Sequence, residues 1–192
     1  MTGNKLDNKI FDYIYKKLSY ERYNHTINVC KLAVKLAHRY NTDPYNVQIA
    51  ALLHDCAKNM SLEESKKYIS QRKIYIKYAD FLYRHAPQVL HSYIGADIAE
   101  KQFKIINGDI LNAIKHHTVG RTGMSVCEKI IFVADSLSPD RKFNKNIVSG
   151  SQLFDDLDKS FLLVLKNKIN YIISKFQILH PDVINVWNYY NK

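Results

Sequence analysis

Apolar positions recur along most of the chain at spacings of three and four, the period of a helix with one buried face. From about Asp7 to Leu18, residues Ile10, Phe11, Ile14 and Leu18 share such a face. Ser19 is placed to cap a second, longer helix running to about Tyr40, with His25, Val29, Leu32 and Leu36 on its inward stripe. Asp43 followed by Pro44 is a strong start signal for a third helix. Val47, Ala50, Ala51 and His54 continue that inward face, so His54 and Asp55 emerge where the helix ends. Ser61-Leu62-Glu63-Glu64 reads as a capping box opening a fourth.

The stretch from Ile74 to Leu90, aromatic and interrupted by Pro87, predicts no clear element. Beyond it, His91, Gly95 and Ile98 share a helical face. Asn107-Gly108-Asp109 breaks and restarts the chain, and Ile110, Ala113, Ile114 and His117 form the next stripe. Ser125-Val126-Cys127-Glu128 is a second capping box, whose helix aligns Cys127, Ile131, Ala134 and Asp135. A polar loop follows Pro139 to about Ser151. A long helix then runs to about Phe176 on Leu157, Phe161, Val164, Leu165, Ile169 and Ile172. After His180-Pro181 a short terminal helix carries Ile184 and Trp187. The pattern predicts an all-α fold, a helical bundle of about eight to ten helices, in one domain spanning 1–192.

Composition narrows the class. Only 6 glycines and 4 prolines against 46% hydrophobic residues exclude disorder and favour helices with short connections. Cys30, Cys56 and Cys127 each lie in an apolar helical pattern without a CxxC pair, as reduced core residues of a cytoplasmic protein do. No stretch approaches the ~20 apolar residues of a membrane span, and the N-terminus lacks a signal-peptide core. A formal charge of +10 suits nucleic acid, an anionic membrane surface or a polyphosphorylated small molecule. Lysines are spread through nearly every segment rather than gathered in a block, which makes nucleic acid the weaker reading.

The candidate chemistry lies in the polar residues that fall on apolar faces. His25, His54-Asp55, His91, His117 and Asp135 each sit at the inward edge of a predicted helix. One inward histidine is ordinarily a satisfied core residue. Five such positions, all with metal-ligand side chains, are hard to explain as core. Inward carboxylates need a partner, and a metal ion is one. Arg22 lies one turn before His25, placed for an anionic ligand, and Lys58 one turn after His54, placed either to pair with the helix C-terminus or to hold a phosphate. Val119-Gly120-Arg121-Thr122-Gly123 could bring backbone N–H groups and a guanidinium to phosphate oxygens, or be a turn. His85 reads as a loop residue, and His38 and His180 as structural; His116 competes with His117 for the inward position.

The order H…HD…H…H…D resembles the HD superfamily of metal-dependent phosphohydrolases. Arg22-Tyr23-Asn24-His25-Thr26, Leu53-His54-Asp55-Cys56-Ala57-Lys58, Leu90-His91, His117-Thr118-Val119-Gly120-Arg121 and Glu128 to Asp135 resemble its YqeK-type branch, the bacterial symmetrical diadenosine tetraphosphate hydrolases. The resemblance implies an HD-type helical bundle that splits diadenosine tetraphosphate and related dinucleoside polyphosphates into two ADP. It implies His25, His54, Asp55 and Asp135 as ligands of one ion, iron with manganese as a substitute. His91 and His117 would serve a second ion or contact phosphate. Asp55, Lys58 and Arg22 would be catalytic, and Cys56, Ala57, Thr118, Gly120 and Arg121 would join Arg22, Asp55, Lys58, His91 and His117 around the substrate. A homodimer is compatible with this reading. The competing readings are a nucleotidase on the same scaffold and a non-catalytic basic module that binds nucleic acid and keeps its histidines for structural metal.

Overall fold

The computed structural model describes residues 5–141 and 155–192, which form ten α-helices and one 3-10 turn and contain no strand. In chain order they are α1 (Lys5–Lys17), α2 (Tyr20–Arg39), α3 (Pro44–Leu53), α4 (Leu62–Arg72) and α5 (Ala79–His85). After the turn Pro87–Val89 come α6 (Leu90–Phe103), α7 (Gly108–His116), α8 (Val126–Leu137), α9 (Leu157–Ser174) and α10 (Pro181–Tyr190). Among the described residues no helix is long and apolar enough to cross a membrane.

The helices start where their capping residues dictate. Ser19 accepts from Arg22 N, Asp43 accepts from Tyr45 N ahead of Pro44, and Ser61/Glu64 and Ser125/Glu128 close reciprocal capping boxes. Each satisfies backbone donors that would otherwise be lost at a helix start. The segment that predicted no clear element contains α5 and the 3-10 turn, and His85 closes α5 instead of lying in a loop. Most of the polar loop expected after Pro139 lies outside the described residues.

Helix α3 is the centre of the bundle. Ile49 to Leu53 are all buried, so the C-terminal half of the helix is apolar all round, and the helix packs against α1, α2, α6, α7 and α8. Helix α9 covers α8 from outside, and α10 packs on α9. The face of α10 differs from the predicted one. Val183 and Val186 are buried, while Ile184 is 49% exposed and Trp187 half-buried. The His180-Pro181 start fixes the rotation of this helix, turning Val186 onto Gly120 and leaving Ile184 and Trp187 against the outer side of α9.

Gly95 sets how closely α6 approaches α3. A Cβ built there would lie 3.2 Å from Ile114 Cγ2 and 3.4 Å from both Cys56 Sγ and the Leu53 carbonyl. This crossing brings the start of α6, with His91, beside the end of α3, with His54 and Asp55. Gly95→Val is expected to lower stability by about 1–3 kcal/mol through overpacking, measurable as a shift in the denaturant midpoint.

Candidate active site

Helix ends deliver most of the site. His54 is the C-cap of α3 and His117 the C-cap of α7, while His91 is the second residue of α6. Each turns Nδ1 back onto the carbonyl three residues earlier: His54 donates to Ala51 at 2.6 Å, His91 to Gln88 at 2.5 Å and His117 to Ile114 at 2.7 Å. His25, within α2, instead donates Nδ1–H to Asp140 Oδ2 at 2.7 Å. In all four rings the proton is committed to Nδ1, so the Nε2 lone pairs face one another in the interior. His54 Nε2 is buried and has no hydrogen-bond partner at all.

Asp55 lies in the turn that closes α3 and is 1% exposed. Its Oδ1 is 2.9 Å from His91 Nε2 and 3.7 Å from His117 Nε2, and its Oδ2 is 3.7 Å from His54 Nε2. Asp135, on α8, places Oδ1 3.0 Å from His25 Nε2 and 3.9 Å from His54 Nε2. The Nε2 atoms of His91 and His117 are 3.1 Å apart. Two lone pairs at that distance repel unless a proton or a cation lies between them. Two donors held about 2.1 Å from one ion at a right angle are roughly 3 Å apart, so this spacing suits a shared ion.

Among the described residues two donor sets meet the distance requirement for a metal: His25, His54 and Asp55, and Asp55, His91 and His117. Asp55 belongs to both, and Asp135 stands beside the first. Imidazole nitrogens with carboxylate oxygens are ligands for a divalent first-row metal. The buried, unpartnered Nε2 of His54 shows that these residues fit such an ion.

The electrostatics agree. Burial raises the Asp55 carboxyl, and positive charge and N–H donation at His54, His117 and His91, the part a bound cation would take over, hold it well below the usual range. Burial likewise opposes Asp135, which His25, Arg141 and Lys168 bring well below. Burial pushes His117 down to about 4, and it lowers His54 despite the neighbouring Asp55 and Asp135. Charged carboxylates at Asp55 and Asp135, with His54 and His117 biased to the neutral form, suit a metal ion.

Cations surround the cluster. Arg22 Nη1 bonds Asp55 Oδ2 at 3.0 Å, and Lys58 Nζ lies 3.9 Å from Asp55 Oδ1 and 3.4 Å from His91 Nδ1. Arg141 Nη2 donates to Asp135 Oδ1 at 2.7 Å. Lys168, from α9, donates to the His117 carbonyl at 3.3 Å over the face of Phe132, and burial lowers its ammonium to about 8. Lys58, Arg141 and Lys168 line a cavity of about 340 Å³ that also reaches His117, Thr118 and Asp135.

Of the residues singled out from sequence, Arg22, His25, His54, Asp55, Lys58, His91, His117 and Asp135 come together, and Thr118 lines the adjoining cavity. His117 enters the cluster and half-buried His116 does not. Four others are placed elsewhere. Cys56 and Ala57 are packed in the core. Gly120, at φ +80°, is in close contact with Val186. Arg121 forms a two-pronged pair with the fully buried Glu128, at 2.8 and 2.9 Å, and lines a different cavity beside Asp182 and Tyr189. A buried carboxylate within reach holds a guanidinium firmly, so Arg121 clamps its loop to α8.

Sequence reasoning missed Asp140, Arg141, Lys168 and His180. Lys168 had a signal, since it lies seven residues after Phe161 and three after Leu165 on the apolar face of α9. His180, read as structural, is the N-cap of α10: its Nδ1 accepts from Asp182 N at 3.1 Å, which leaves a buried Nε2–H without a partner beside the cavity. Asp140 and Arg141 follow a proline in a polar stretch, where spacing carries no directional information.

Comparison with known proteins adds an independent finding. Residues 22–140 match the family described as HD domain. The chain is 33% identical to the symmetrical bis(5'-nucleosyl)-tetraphosphatase of Bacillus subtilis, covering 92% of each protein. It is also 33% identical to the enzyme of the same name from Halalkalibacterium halodurans, covering 94% of each. A crystal structure from Clostridium acetobutylicum, described as a predicted HD superfamily hydrolase involved in NAD metabolism, superposes with a TM-score of 0.85. It is 35% identical, with 96% of both chains covered.

His54→Ala and His117→Ala are each expected to weaken divalent-metal binding by at least about tenfold while the helical circular dichroism is kept. Metal analysis of the purified variants after dialysis checks this, and full retention of metal in both would remove both rings from the ligand set.

Proposed function

The chain belongs to the HD-domain family, and from that premise we propose that it hydrolyses diadenosine tetraphosphate and related dinucleoside polyphosphates symmetrically, giving two ADP from diadenosine tetraphosphate. One observation carries the proposal: a buried set of imidazole lone pairs and carboxylates adjoins a cavity whose inner end is cationic and whose outer walls are apolar. Phosphates match the inner end and a base matches the walls. The choice of the middle linkage rests on the activity for which the Bacillus and Halalkalibacterium relatives are named.

His25, His54, Asp55 and Asp135 would hold one divalent ion, and His91 and His117 a second with Asp55 between. The mixed nitrogen and oxygen donors suit iron, with manganese able to replace it. When bound, such an ion supplies Lewis acidity that makes water nucleophilic near neutral pH and polarises a phosphoryl oxygen. The chain's own residues do the rest. The backbone carbonyls behind His54, His91 and His117, and Asp140 behind His25, fix the rings so that the donors need no reorganisation. Lys58, Lys168 and Arg141 neutralise the charge that gathers on the phosphates as the central P–O bond breaks. Arg22 braces Asp55 through its Oδ2. No side-chain nucleophile takes part.

Two outcomes are expected. Asp135→Ala removes a carboxylate that can coordinate, and should reduce both turnover and metal content to background. Lys58→Ala removes only an ammonium, and should lower turnover by about 100-fold or more with metal retained; equal metal loss in both variants would make Lys58 structural. In oxygen-18 water, diadenosine tetraphosphate should give two ADP, one of them labelled, as read by mass spectrometry. ATP with AMP would show an asymmetric cut, and labelled inorganic phosphate from a mononucleotide, with the dinucleotide untouched, would support a nucleotidase.

A further inference from the structure

His117 reaches the cluster from the end of α7, and no other proposed ligand is carried by that helix. The donor set of Asp55, His91 and His117 therefore forms only if the end of α7 is held in place beside the ends of α3 and α6. The other proposed donors, His25, His54, Asp55 and Asp135, come from α2, from α3 and its closing turn, and from α8. The Ile114 carbonyl fixes the rotation of the His117 ring but not the position of the helix end. What fixes that position lies in the loop that leads to α8.

Gly120, at φ +80°, turns the chain back directly after α7, and its N–H donates to the His116 carbonyl at 2.8 Å. The turn aims the Arg121 side chain at the start of α8. Its Nε donates to Glu128 Oε1 at 2.8 Å, its Nη2 to Oε2 at 2.9 Å, and its Nη1 to the Thr122 carbonyl at 3.0 Å. Glu128 is fully buried, and its Oε2 also accepts from Ser125 N at 2.7 Å. A planar fork against a carboxylate sets angle as well as distance. Lys168 also meets the His117 carbonyl, at 3.3 Å, but an ammonium on a flexible stem is a point contact.

Glu128 and Asp135 lie two turns apart on one face of α8, about 10 Å along its axis. The helix that carries Asp135 near its end thus also carries, at its start, the carboxylate that anchors the loop from His117. Through α8 the two donor sets are joined. Paired metal ions stand about 3.5–4 Å apart, and their donors must be held to within about 0.5 Å. A small displacement of α7 is enough to break the second set and leave the first intact.

We propose that Arg121, paired with Glu128, is a positioning residue for the second ion: it holds the end of α7 so that His117 completes the set with Asp55 and His91. This rests on the two-ion reading given above. Arg121 acts on the centre through His117, touching neither metal nor substrate. Without the fork the end of α7 shifts, the second ion is lost and the first remains.

Manganese binding to the full chain separates this role from simple support. The wild-type protein is expected to hold two ions, read by titration calorimetry and by an exchange-coupled signal in electron paramagnetic resonance. Arg121→Lys keeps the charge but not the fork. It should retain the helical circular dichroism and one ion, bind the second more weakly by about tenfold or more, and lose the coupled signal. Where that variant fails to fold, Arg121→Gln with Glu128→Gln, which leaves no unpaired charge in the core, carries the same expectation. Lys129→Met breaks the neighbouring 2.6 Å pair with Asp158, between α8 and α9, and should keep both ions. Loss of the second ion there as well would show general loosening and overturn the proposal. Added to His117→Ala, Arg121→Lys should cause no further loss of manganese, because the two act on one ligand; a further loss overturns it. Two ions at unchanged affinity in Arg121→Lys defeat the clamp alone, whereas a wild-type chain that never holds a second ion defeats the two-ion reading and the clamp together.

Discussion

The structure depends on the burial of Asp55. A carboxylate at 1% exposure in an apolar bundle is costly unless its oxygens are met by positive charge or donors. Arg22 reaches Oδ2 at 3.0 Å, yet Oδ1 faces ring nitrogens whose protons are already committed elsewhere. The pattern is incomplete as a hydrogen-bond network and has the donors and spacing that could hold a metal ion. This imbalance distinguishes the cluster from ordinary buried polar residues, which satisfy one another.

Helix geometry makes the arrangement possible at low cost to the fold. A histidine beside a helix terminus can donate to the carbonyl three residues back, in the last turn of its own helix or in the turn before it, which orients its ring without any extra residue. Three separate helices use this device, at His54, His91 and His117. His54, His91 and His117 therefore stand at the ends of their helices, and Gly95 lets two of those ends come together. Core and site share the same helices but occupy different parts of them.

That division also explains what could be read in advance. Capping residues and inward stripes placed the helices through α4, and again from α6 to α8, because both signals are local. The same stripes brought out His25, His54, Asp55, His91, His117 and Asp135, since a polar residue on an apolar face is visible without coordinates. Arg121 misled, because whether a guanidinium meets a phosphate or a buried Glu128 is decided by tertiary contact. Asp140 and Arg141 were invisible for the opposite reason: a polar residue in a polar stretch carries no period. The rotation of α10 hung on one cap, and a shift of one residue exchanged Ile184 for Val183 as the buried position.

The cationic inner end of the cavity has a consequence for encounter as well as for chemistry. The chain carries a formal charge of +10, and Lys58, Lys168 and Arg141 concentrate part of it in a concave, low-dielectric site. Field lines from such a site extend outward over about a Debye length and draw polyanions inward. Capture of a tetraphosphate is then governed by ionic strength, whereas the bond-breaking step, shielded inside, is not. The same attraction retains anionic products. A surplus of lysine that looks like diffuse surface charge thus acts as a kinetic setting, speeding arrival and slowing departure, with the salt of the surroundings fixing the balance.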